Sequence, residues 1–166
     1  EVDVATKYPG RIARIHVDEG AMVKAGDVLA IMDTAELDSQ LAHAQALVEE
    51  AKEGVNEATA MIAQRESELK LAEQELQRAL MLVEKGSVSR RTVDQREGTK
   101  GIAVAGVRAA KARLETNRKG VEAALASAEQ IKTRIDDCFL KAPAGGRVLY
   151  RPAEEGEVLG AGGKVP

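Results

Sequence analysis

The chain has 166 residues and carries 24 Lys+Arg against 27 Asp+Glu, a formal net charge of −3, which argues against nucleic-acid binding by bulk charge. Charged residues make up 31% and aromatic ones 2%, with no Trp, one Phe (Phe139) and two Tyr (Tyr8, Tyr150), so the side chains that usually fill compact cores are missing. A helix-rich, elongated body packed along a narrow seam is expected, and no apolar run reaches the roughly 18 to 20 residues that cross a bilayer. One cysteine, Cys138, excludes an internal disulfide and a Cys-cluster zinc site. A start at Glu1 and an end in Gly162-Gly163-Lys164-Val165-Pro166, which reads as a strand cut short, suggest a piece of something longer.

Residues 1–34 read as short strands with glycine turns. At a constant offset of 136 the segment returns near the other end: Gly10-Arg11-Ile12 matches Gly146-Arg147-Val148, Glu19-Gly20 matches Glu155-Gly156, and Ala25-Gly26 matches Ala161-Gly162. The glycines predict hairpin turns or positive φ, and Ile15 to Val17, Val28 to Met32 and Arg147 to Tyr150 read as strands. Each unit is too small to bury a core alone, so the two must pack together and the chain ends must meet.

Residues 35–136 contain no proline. The series Leu41, Val48, Val55, Ile62, Leu69, Leu76, Val83 is large and aliphatic throughout, while the interleaved Leu37, Ala44, Ala51, Ala58, Arg65, Ala72, Ala79 is mostly alanine. Large in one seam position and small in the other predicts a closely packed coiled coil. Lys85-Gly86 marks a helix end and Ser87 to Ser89 a new N-cap, so a second helix folds back antiparallel. Its seam is Val93, Lys100, Val107, Leu114, Val121, Ala128, Ile135 with Arg96, Ala103, Ala110, Asn117, Ala124, Ile131. Roughly 50 residues per helix give a rod on the order of 75 Å, so reach is the expected purpose. Residues 137–166 then supply the second repeat unit. The fold class is α+β, mainly α: a long antiparallel two-helix hairpin, its tip near 84–91, inserted between two halves of a small β domain.

The stretch from Pro9-Gly-Arg-Ile12 through Val17-Asp-Glu-Gly-Ala-Met-Val-Lys-Ala-Gly-Asp-Val-Leu29 resembles the first half of a lipoyl or biotinyl carrier domain (a barrel-sandwich), and Lys141-Ala-Pro-Ala-Gly-Gly-Arg-Val148 with Glu155-Gly-Glu-Val158 resembles the other half. Half, hairpin, half is similar to the organisation of HlyD-like membrane fusion proteins, periplasmic adaptors of tripartite export systems. The resemblance covers the whole chain. It implies a periplasmic protein anchored to the inner membrane, a partner transporter of ABC, RND or MFS type, a TolC-like outer-membrane channel at the hairpin tip, and self-association into a ring, commonly a hexamer. Carrier function is not implied, because the junction Ile31-Met32-Asp33-Thr34-Ala35-Glu36 lacks the modifiable lysine and Lys24 fits a surface turn. The alternatives are a coiled-coil spacer without a channel partner and, behind it, a lipoyl or biotinyl carrier domain with an unusual insertion.

Channel-docking members of the family show a tip motif of Arg-Leu, a second Leu, and a Ser seven residues later. Here Arg78, Leu82 and Ser89 keep the spacing, Asp94 falls five after Ser89, and Ala79 stands where the first Leu is expected. Independently, the heptad phase turns Leu80, Met81 and Leu82 away from the seam, an apolar cluster at the end of a rod. The plain alternatives are a frayed helix end, an N-cap for Ser89, a solvated charge for Arg78 and a helix-dipole partner for Asp94. Gly98, Gly101, Gly106 and Gly120 weaken the second helix, which suggests a packing flank for a neighbouring molecule or else local softness. His16 and His43 are isolated, Met22, Met32, Met61 and Met81 are scattered, and no catalytic constellation is recognisable. No enzyme activity, metal or cofactor is expected.

Overall fold

The computed structural model describes residues 3–165, which form eight short strands and two long helices. In chain order these are β1 (Val4–Ala5), β2 (Gly10–Ile15), β3 (Met22–Val23), β4 (Val28–Met32), α1 (Ala35–Glu84), α2 (Arg90–Asp137), β5 (Phe139–Lys141), β6 (Gly146–Arg147), β7 (Val158–Leu159) and β8 (Lys164–Val165). The chain divides into two units, Glu1–Gln45 with Ala126–Pro166, and Ala46–Leu125. Among the described residues no helix is long and apolar enough to cross a membrane.

The first unit is built by exchange between the two sequence repeats. A four-stranded sheet has the order β5-β4-β2-β7, and β1-β8 and β3-β6 form two-stranded sheets. Gly10 faces Leu159 and Arg11 faces Val158 across β2 and β7. Shifted by the repeat offset, the same register returns as Gly146 facing Val23 and Arg147 facing Met22. The turn glycines obey the same symmetry, with φ of 85° at both Gly20 and Gly156, 90° at Gly26 and 81° at Gly162. A side chain at such φ is strained, so these four positions require glycine. The termini meet through β1 and β8, where Ala5 faces Lys164.

Two sequence expectations need correction here. The glycine turns do not close simple hairpins, because β3 pairs with β6 and β2 with β4 and β7. Each turn hands the chain to a strand of the other half. Nor do Ile15 to Val17 and Arg147 to Tyr150 form full strands: β2 ends at Ile15 and β6 at Arg147. Single backbone bonds continue past these ends, from His16 N to Leu29 O and from Val148 N to Ala21 O, and carboxylates of the opposite repeat take two further N–H groups. Ile15 N donates to Glu155 Oε1 at 2.9 Å, and symmetrically Arg151 N donates to Glu19 Oε1 at 3.0 Å.

The core of this unit gathers Ile12, Ala30, Met32, Cys138, Leu140, Ala153 and Leu159, with Leu37 packed against it. Ile12 is 1% exposed, and burying such a side chain is worth about 1.5–3 kcal/mol. Thr6 is the buried polar residue here, and its Oγ1 donates to Gly160 O at 2.9 Å.

α1 is rich in strong helix formers and starts under Asp33, whose Oδ1 accepts from Ala35 N at 3.1 Å, with Glu36 and Asp38 in the first turn. In the second unit its alanines Ala58, Ala72 and Ala79 are buried, as are Val107 and Ala110 of α2. Polar lapses in the seam are answered locally. Arg96 pairs with Glu75 at 2.6 Å and Lys100 with Glu73 at 3.4 Å, while Arg65 is exposed and bonds Glu68 at 2.8 Å.

Candidate functional site

The turn between the helices is closed by its own backbone. Ser87 N donates to Leu82 O at 2.9 Å and Gly86 N to Val83 O at 3.0 Å, with Gly86 at φ 70°, a Schellman stop that consumes two of the last carbonyls of α1. On the other side, Thr92 N donates to Ser89 O at 3.0 Å and to Ser89 Oγ at 3.3 Å, so Ser89 caps α2. The hairpin's own groups therefore close the turn, with the Ser89 side chain engaged in the cap.

Among the tip residues named from sequence, Leu80 and Met81 are 45% and 56% exposed. Leu82 differs: it is half-buried rather than fully exposed, and its carbonyl accepts from Ser87 N in the Schellman stop. Ala79 is a buried seam residue at 6% exposure, whereas Leu80 beside it is exposed. Arg78, Ser89 and Asp94 are exposed. Sequence reasoning passed over Arg90 and Arg91, the two exposed residues that open α2, and the signal was available: the first turn of that helix holds no acidic residue.

The four glycines separate into two kinds. A Cβ on Gly98, Gly101 or Gly120 would meet nothing within 4 Å, whereas one on Gly106 would lie 3.7 Å from Arg65 Cδ. Gly106 thus faces a side chain of its own hairpin, and the other three face open space. Ile102, beside Gly101, is 77% exposed. A pair that sequence reasoning missed crosses the seam, where Asn117 Nδ2 donates to Gly54 O at 2.6 Å.

In the first unit, Asp33 sits at the β4–α1 junction, with its carboxylate held below the usual range by the hydrogen bond from Arg11 and then by Ala35 N–H. Lys24 is exposed in a turn where its N–H donates to Asp27 Oδ2 at 2.7 Å. A cleft of about 420 Å3 runs past Tyr8, Met32, Gln40, Arg134 and Cys138, and the Arg134 guanidinium lies 5.7 Å from the Tyr8 ring centre. Burial pushes the Cys138 thiol up, helped by the charge of Asp137, so it is a poor nucleophile. Among the described residues no group of three or more His, Cys, Asp or Glu gathers as a metal site.

A barrel-sandwich domain split by a long helical hairpin is the body plan of the membrane fusion proteins, a class that is not enzymatic. Residues 1–165 match the family described as CzcB-like, barrel-sandwich hybrid domain, and the chain belongs to that family. It is 29% identical over 182 residues to the fatty acid resistance protein FarA of Neisseria gonorrhoeae, covering 97% of this chain and 46% of that protein. It is 28% identical over 161 residues to the multidrug resistance protein MdtA of Escherichia coli O17:K52:H18, covering 97% of this chain and 32% of that one. The chain thus spans less than half the length of these two relatives. The crystal structure of MacA from Actinobacillus actinomycetemcomitans has the same fold, with a TM-score of 0.65, 22% identity, and coverage of 100% of this chain and 48% of that one.

Proposed function

We propose that this chain is the barrel-sandwich and hairpin portion of a periplasmic adaptor that links an inner-membrane export transporter to a TolC-like outer-membrane channel, with the hairpin turn as the docking point. The observation that carries this reading is the exposure of Leu80 and Met81 beside a turn whose backbone is already satisfied. Large apolar side chains left in water next to an ordered cap mark a contact surface. Arg78 and Asp94, both exposed, would add polar contacts around them, and Ser89 would serve both as cap and as contact. Leu82, half-buried, would support the surface from beneath.

In this reading the protein is tethered at the inner membrane, and copies assemble into a ring, most simply a hexamer, with Gly98, Gly101 and Gly120 as the close-approach flank. The transporter, whether of ABC, RND or MFS type, would supply the energy. The adaptor's contribution is assembly and gating. Drug and fatty acid resistance in the named relatives is consistent with an export role.

Cysteine cross-linking in cells tests this. The full-length adaptor would carry Cys138→Ser as background and single cysteines at Ser87, Leu80 and Lys111. Capture of an outer-membrane channel from Ser87 and Leu80 but not from Lys111, which pairs with Glu66 at 3.0 Å along the hairpin, is the expected result. Absence of capture from a folded, exported protein would leave a coiled-coil spacer instead.

A further inference from the structure

The charges around the turn run against the helices that carry them. α1 has no basic residue in its last turn, and α2 opens with Arg90 and Arg91 and no acidic residue in its first turn. Unsatisfied N–H groups and the helix dipole make a helix start electropositive, so two arginines there oppose the local electrostatics. By contrast α1 begins in the favourable way, with Glu36 and Asp38. A locally unfavourable choice at one end of a regular hairpin is the kind of inconsistency that function leaves behind.

These cations also lack internal partners. Among the described residues Arg78, Lys85, Arg90 and Arg91 take part in none of the ion pairs, although Arg96, Lys100 and Lys111 further along the same hairpin each reach a glutamate of α1. All four are exposed. Residues 84–91 hold three cations against the single acid Glu84, while the whole chain is net −3. Positive charge is therefore concentrated at the turn that follows the exposed Leu80 and Met81 along the chain.

We infer that Arg90, Arg91 and Lys85, with Arg78, form a cationic collar around an apolar centre, and that the surface it fits is a protein surface with carboxylates rimming an apolar groove. This rests on the docking reading above and specifies the chemistry of the partner. Complementary charge of this kind accelerates encounter and fixes orientation, whereas the apolar contact holds the complex. A protein is favoured over an anionic membrane by the composition of the turn. Only Leu80 and Met81 are large, apolar and exposed there, and Glu84, Asp94 and Glu97 are interspersed, so there is no continuous apolar stripe to insert and there are acids for lipid phosphates to repel.

The test compares wild type with Arg90→Glu/Arg91→Glu. In the Ser87→Cys, Cys138→Ser full-length background, capture of the outer-membrane channel should fall about tenfold in the double variant. With the purified channel in nanodiscs, wild-type association should slow about tenfold between 50 and 300 mM salt, and the variant should lose most of that dependence. Glutamates at the helix start suit the dipole, so the variant should melt about 2 °C higher, which separates lost binding from lost folding. Capture and association equal to wild type at every salt concentration would overturn the collar while the bridge stands. Failure of wild type itself to capture a channel would remove both. Binding of wild type, but not the variant, to phosphatidylglycerol vesicles without salt-dependent channel association would assign the collar to lipid and overturn the protein partner.

Discussion

Asn117 reaches across the hairpin and donates its side-chain amide to the carbonyl of Gly54 at 2.6 Å. Both residues lie in the second unit, and a Cβ on Gly54 would meet Asn117 Nδ2 at 3.6 Å, an ordinary contact, so the bond does not depend on glycine there. A polar residue in an apolar seam commonly selects register at some cost in stability. Asn117→Ala should cost about 1 kcal/mol in urea unfolding. Asn117→Leu should recover or exceed wild-type stability, yet allow a disulfide engineered one heptad out of register to form. Only the native register forming in that variant would show that the apolar pattern alone sets it.

Glu19 and Glu155 play the same part in the two repeats, each accepting one backbone N–H from the other half. Replacing either by alanine should therefore have a similar effect, about 1 kcal/mol, read as a lower urea midpoint for the first unit. A large asymmetry between Glu19→Ala and Glu155→Ala would show that the repeat symmetry is not energetic.

Acid should loosen the protein through particular carboxylates. The Arg11 guanidinium, followed by Ala35 N–H, holds Asp33 below its usual 3.8, and Arg65 with Gln64 holds Glu68 below its usual 4.5. Carboxyls depressed in the folded state contribute stability at pH values above their unfolded values, and that contribution is lost as pH falls through the folded ones. Asp33→Asn and Glu68→Gln should thus flatten the stability profile below about pH 4 and leave its shape near neutrality unchanged, as followed by circular dichroism.

Cys138 is 7% exposed, its Sγ donates to Arg134 O at 3.3 Å, and burial raises its pKa. Iodoacetamide should modify it only as fast as the first unit opens, so labelling in urea should track unfolding. Cys138→Ser keeps a donor for Arg134 O and should cost only about 1 kcal/mol, suiting it as a background for single-cysteine work.

Gly98→Ala and Gly101→Ala place methyl groups in open space and should each stabilise the isolated chain by about 1 kcal/mol through helix propensity. If this flank packs against a neighbouring molecule, the same changes should lower assembly and export in cells. Normal export by the more stable variant would remove the packing role.

Much of this architecture was legible in the sequence because it is periodic or repeated. A seven-residue series names the seam without any tertiary knowledge, since 3.6 residues per turn puts those side chains on one face. The offset of 136 likewise marked Gly20, Gly26, Gly156 and Gly162, because a positive φ restricts the residue by itself. Gly86 and Ser89 could be placed for the same reason, as caps act within a few residues of sequence.

What lay beyond the sequence depends on partners distant along the chain. Nothing local says that β3 pairs with β6 rather than closing a hairpin, or that Glu155 accepts the N–H of Ile15, 140 residues away. The exchange of strands, the half-burial of Leu82 and the reach of Asn117 to Gly54 follow from which surfaces the whole chain can bury at once. Backbone dihedrals and helix faces are local properties that composition and spacing determine. Strand pairing is a competition among distant donors and acceptors, and only the folded chain decides it.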